Sequence, residues 1–103
     1  MAVEHLRNSI TKQNLWLYIL SSLRGAPASP SELEREVESR FGFSPAKITF
    51  YTVLYKLRRE GLVGKTTESF RSKYEITEKG ERALEEAIDA LENTSERLKR
   101  HKD

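Results

Sequence analysis

From Thr49 to Val63 the chain reads TFYTVLYKLRREGLV, an amphipathic helix that ends in glycine and runs at once into an apolar, β-prone pair. Phe50, Val53, Leu54 and Leu57 keep the i, i+3, i+4, i+7 spacing of one buried stripe, so the positions between them turn outward. Outward lie Thr49, Thr52, Tyr55, Lys56, Arg58 and Arg59. An ordinary helix also places polar groups in water, so this face gains meaning only from what surrounds it.

Ahead of it, a helix is predicted from Gln13 to Arg24, with Trp16, Ile19, Leu20 and Leu23 along one stripe and Gly25 as its stop. This helix reads as nearly buried all round, and Trp16 within it reads as core. A second helix is predicted from Pro30 to Phe41. Ser29 caps it, Glu32 completes a capping box, Pro30 takes the first helical position and Gly42 closes it. The opening stretch belongs to a third helix, for which Ser44 is the expected cap, Pro45 the first residue and Gly61 the left-handed terminator. LVGKTT and SKYEIT then form two short β-prone runs around ESFR, which suits an antiparallel hairpin with Tyr74 and Ile76 on one face. Thr77 can cap a long last helix whose Leu84, Ala87, Ile88 and Leu91 make a second apolar stripe, with Leu98 in register beyond Asn93, Thr94 and Ser95.

Three helices, a basic hairpin and a further helix describe a winged helix-turn-helix, mainly α with a small β-hairpin. Residues 1–79 are then a DNA-binding domain, and residues 80–103 a C-terminal dimerisation helix with a polar tail. In this architecture the third helix enters the major groove of double-stranded DNA, and the wing lies on the backbone or in the minor groove. Thr49, Thr52, Tyr55 and Lys56 can reach base edges or phosphates, and Arg59 is placed for a phosphate. Ser44 and the free N–H groups of the helix start offer an anion site, and Lys47 is a further DNA-binding candidate. Lys65, Arg71 and Lys73 make the wing a basic edge. Charge supports the reading regionally, because Ser44 to Lys79 holds eight bases against four acids, a net +4, whereas the chain as a whole carries only +2.

TFYTVLYKLRREGLV followed by SKYEITEKG resembles the PadR family of transcriptional regulators, whose pattern is roughly T-I-Y-x-x-L-x-x-L-x-x-x-G-L-V and then R-K-Y-Y-x-L-T-x-x-G. The matching positions are Thr49, Tyr51, Leu54, Leu57, Gly61, Leu62, Val63, Lys73, Tyr74, Thr77 and Gly80. The resemblance spans about Leu15 to Leu91. It implies a homodimeric DNA-binding regulator, usually a repressor, with Leu84, Ala87, Ile88, Leu91 and Leu98 of the C-terminal helix joining the two copies. It also implies a phosphate contact for Tyr51, for which packing against the second helix is an equal reading. The chain has Ile48 and Thr52 where the family often has glycine and proline, and it lacks the Gly-Gly-Pro run common in the family's wing.

Other classes find less support. The chain has no cysteine, and His5 and His101 lie in end segments where they read as solvated, so no metal, cofactor or catalytic role is assigned. No small-molecule effector is assigned either. LWLYIL falls well short of the roughly 18 apolar residues needed to span a bilayer, and MAVEHLRNS lacks a signal-peptide core, which points to the cytoplasm. The competing reading is a winged-helix module whose third helix meets another protein; RNA binding is a weaker third.

Overall fold

The helix expected at Gln13–Arg24 is the hub of the fold. In the computed structural model, which describes residues 1–11, 13–66 and 72–100, it spans Leu15–Leu23 (α2) and buries Leu15, Ile19, Leu20 and Leu23. It follows α1 (Ala2–Thr11) and touches α3 (Pro30–Phe41), α4 (Lys47–Arg59) and α5 (Glu78–Lys99). Leu33 and Val37 of α3, Phe50, Leu54 and Leu57 of α4, Val63 and Leu84 close around it. One core therefore fixes the orientation of three helices relative to α2.

Local signals explain most of the boundaries. The Ser29 hydroxyl accepts from the Glu32 amide at 3.3 Å while the Ser29 amide donates to the Glu32 carboxylate at 2.9 Å, completing the capping box of α3. Gly42 ends that helix at φ +76°. Gly61, at φ +78°, ends α4 in a Schellman arrangement, with its amide donating to Arg58 O and the Leu62 amide to Leu57 O. The start of α4 departs from expectation. Ser44 does not cap it and Pro45 is not helical; Ala46 is the N-cap, without a side-chain cap. The reason is tertiary, because the Phe43 ring packs edge-on to Tyr18 at 5.1 Å and the backbone stays out of the helix until Ala46.

Strands β1 (Val63–Thr66) and β2 (Lys73–Ile76) pair antiparallel, Val63 opposite Ile76 and Thr66 opposite Lys73. On its other edge, Tyr74 exchanges both backbone hydrogen bonds with Ala28 at 2.8 and 3.0 Å, tying the hairpin to the segment before α3. Thr77 then joins three elements. Its hydroxyl accepts from the Gly80 amide at 3.0 Å, capping α5, and donates to Gly61 O at 2.7 Å, while Lys79 Nζ donates to Glu60 O at 2.8 Å. The carbonyls of Glu60 and Gly61, just past the end of α4, are thus satisfied by Lys79 and by the N-cap of α5. Gly80 lies so close to Leu62 that a Cβ there would sit 2.1 Å from Leu62 O.

Helix α1 was not anticipated. No residue in it is buried, and it is held by the Asn14 side-chain amide donating to Ser9 O and the Tyr18 hydroxyl donating to Ile10 O. At the other end, α5 runs uninterrupted through Asn93, Thr94 and Ser95 to Lys99. It buries only Gly80 and Leu84, and so projects from the head, giving the molecule extents of 60 × 29 × 22 Å.

Candidate nucleic-acid interface

With Phe50, Leu54 and Leu57 turned into the core, the ridge opposite them on α4 is set by helix geometry. Ile48, Thr52, Tyr55 and Arg59 succeed one another along it at i, i+4, i+7 and i+11, all exposed. Thr49 and Lys56 flank the ridge on the side of α2 and α5. Lys56 there shares a cleft with Trp16, Val53, Leu57, Glu60 and Leu62. Trp16, expected to pack in the core, does pack against it and is half-buried, its stripe position falling at the edge of the α2 packing. Tyr51 and Arg58 flank the ridge on the hairpin side, where they form a slot with Leu54, Tyr55 and Tyr74.

The aromatic groups on this face are braced. The Tyr51 ring stands edge-on to buried Phe50 at 5.6 Å, and the Arg59 guanidinium lies 5.9 Å from the Tyr55 ring centroid, within cation–π range. Helix α4 carries Lys47, Lys56, Arg58 and Arg59 and no acidic residue; Glu60 follows it as C-cap. Its first turn has no side-chain cap, so the amides there and Lys47 face solvent together. Ser44 is exposed just outside the helix, beside Thr49 in a separate cleft.

The hairpin separates its bases. The pairing register puts Lys65 opposite Tyr74 and Lys73 opposite Thr66, so the two lysines point to opposite faces of the ribbon. Lys65 is exposed, whereas Lys73 is half-buried and close to α3. The Glu32 carboxyl is held below its ordinary pKa by the Ser29 amide and hydroxyl, with the Lys73 charge adding to them. Arg71 and the tip residue Phe70 lie outside the described residues.

The expected stripe of α5 divides between two environments. Leu84 is 2% exposed and belongs to the core of its own chain, so its assignment to a contact between copies is corrected. Ala87 is half-buried, while Ile88, Leu91 and Leu98 are exposed, Leu91 at 52%. Helix α1 adds a second unpartnered stripe, Val3, Leu6 and Ile10, which nothing in the sequence reading had used. Its i, i+3, i+7 spacing was the available signal. Ile48 and Tyr74 were likewise absent from the anticipated interface, and Arg58, though expected on the outward face, had no contact assigned to it. Among the described residues no cluster of His, Cys, Asp and Glu could hold a metal ion, and no helix is long and apolar enough to cross a membrane.

Comparison with known proteins places this geometry. The profile described as the transcriptional regulator PadR-like family matches residues 19–86. A PadR-like transcription factor from Bacteroides fragilis shares the fold with a TM-score of 0.74 at 23% identity, over 91% of this chain and 95% of that one. A transcriptional regulator from Clostridium thermocellum superposes with a TM-score of 0.72 at 17% identity, over 92% and 94%. RosR of H. salinarum superposes at 0.64 and 25% identity, over 87% and 80%. Among proteins of curated function, none matches the sequence.

Proposed function

The chain belongs to the PadR-like family of transcriptional regulators, and from that premise we propose that it binds double-stranded DNA sequence-specifically as a homodimer and acts as a repressor. Residues 1–79 form the reading head and residues 80–103 the dimerisation helix with its tail. The observation that carries the reading is the outward face of α4, which bears four bases and no acid on a helix clamped at its end by Thr77 and Lys79. A helix of that charge, held rigidly by a core, suits the major groove. Thr49, Thr52 and Tyr55 face base edges; Lys47, Tyr51, Lys56 and Arg59 take phosphates, with Ser44 beside them. A protein-contact module is the weaker reading, because the face concentrates charge of one sign without a carboxylate and its Lys47 and Lys56 are of the type depleted at the centres of protein interfaces. A dimer seated on a promoter would exclude other proteins from it sterically, and repression in the cytoplasm would follow from that occupancy.

Replacing Lys56 or Arg59 with alanine should weaken binding to selected and random duplex alike, and each should reduce the slope of log affinity against log salt by about 2, one phosphate contact being lost from each copy of the dimer. Unchanged affinity in the double variant, with an unaltered circular dichroism spectrum, would remove α4 from the interface.

The wing makes a separate prediction. Lys65→Ala should cost more DNA affinity than Lys73→Ala, since Lys65 is exposed and Lys73 is turned toward Glu32. Neither should shift the melting temperature by more than a few degrees, since Lys65 is exposed and Lys73 only half-buried, and charges so open to solvent contribute at most about 1 kcal/mol. Fluorescence anisotropy on one labelled duplex ranks them, and the reverse order would show that the other face of the ribbon meets DNA.

A further inference from the structure

Ile48 is the second residue of α4 and is 82% exposed, although isoleucine ordinarily seeks burial. It stands at the N-terminal end of the ridge that continues through Thr52, Tyr55 and Arg59. Around it the helix offers cations and no carboxylate. A second copy of this chain is a poor occupant, because its unpartnered apolar stripes lie on α1 and α5 and a cationic helix face would repel its like. A polyanion that also presents an apolar group fits both properties. On the floor of the major groove only one base offers such a group: thymine, through its C5 methyl.

We infer that Ile48 reads thymine, packing its side chain against the C5 methyl at one position in each half-site. The inference rests on the DNA-binding reading above and adds to it a specificity determinant of stated chemistry. In a helix-turn-helix the N-terminal residues of the recognition helix are those that reach base edges, and Ile48 is one helical turn before Thr52. The polar and charged groups around it supply position; Ile48 supplies discrimination against cytosine, which carries no methyl group.

The test begins with duplexes selected by the wild-type protein from a randomised pool. In the enriched site each thymine is replaced in turn by deoxyuridine, which removes only the methyl group. One position per half-site should weaken wild-type binding about fourfold, the effect of exposing one buried methyl. Ile48→Ala should bind the thymine duplex more weakly and show no difference between thymine and uracil at that position, while Ile48→Val should retain part of the difference. A selected site at which no thymine methyl matters, or an alanine variant that still distinguishes thymine from uracil, would overturn the inference and leave sequence-specific binding intact. Failure to enrich any sequence would overturn both. A change in the molecular mass of Ile48→Ala in solution would assign the residue to a contact between copies and overturn it as well.

Discussion

Gly80→Ala should lower the melting temperature by about 12 °C or more. The new Cβ would stand 2.1 Å from Leu62 O, 2.8 Å from Ile76 Cγ1 and 3.1 Å from Leu62 C. Two of those three atoms are backbone, and they belong to the residue that follows the Schellman turn of α4, so they cannot swing aside as a side-chain tip would. Relief requires α5 to move away from the hairpin, which stretches the Thr77 cap and draws Leu84 out of the core. Overpacking of this kind costs about 3 kcal/mol or more, a large share of the roughly 5–15 kcal/mol that holds a domain of this size. Gly25→Ala is the control, since its Cβ would meet nothing nearer than Ser22 O at 3.8 Å. Thermal denaturation followed by circular dichroism compares them. A Gly80→Ala melting curve within a few degrees of wild type would mean that α5 does not seat on Leu62 as described.

The second large effect concerns assembly. Ile88→Glu with Leu91→Glu should leave each subunit folded, because both side chains are exposed, and should halve the particle mass measured by light scattering. Leu84→Glu is unsuitable, since a charge at a 2% exposed position would unfold the head before it separated two copies. Helix α5 is about 33 Å long and spends only its first two turns on its own core. The remaining length offers Ile88, Leu91 and Leu98, and α1 offers Val3, Leu6 and Ile10; a two-fold contact is the commonest way to cover such stripes. Two tethered heads gain about 10²–10⁴ in affinity over one, so the monomer should lose tight binding to a selected two-fold site by at least about 100-fold while keeping weak, salt-sensitive binding to random duplex. A wild-type chain that is already monomeric at micromolar concentration would contradict the assembly, and a monomeric variant with undiminished site affinity would detach it from function.

Which features were legible in the sequence follows from the range of the interactions that specify them. The capping box at Ser29 and Glu32, the left-handed glycines at 42 and 61 and the Thr77 cap depend on neighbours within a few residues, and each appears where local chemistry puts it. The start of α4 does not, because Phe43 is held by Tyr18, far away in the chain. The α5 stripe shows a similar limit: periodicity marks Leu84 and Leu91 as apolar on one face without saying which is covered from within the subunit. Helix α1 lies outside the core altogether. Ile48 stands out in the sequence only as a departure from the family pattern, between Lys47 and Thr49, and its exposure appears only once Phe50, Leu54 and Leu57 fix which way the helix turns. Gly80 was visible as a motif position, but its cause, the approach of Leu62, is a contact between elements.

The most direct test of the account is a titration of the wild-type protein against its selected duplex and a scrambled duplex of equal composition, from about 50 to 200 mM salt. The account predicts that the selected duplex binds more tightly at every salt concentration, and that both log affinities fall linearly with log salt with slopes of about −5 or steeper, as roughly six neutralised phosphates require. Binding that is insensitive to salt, or equal for the two duplexes throughout, would contradict it.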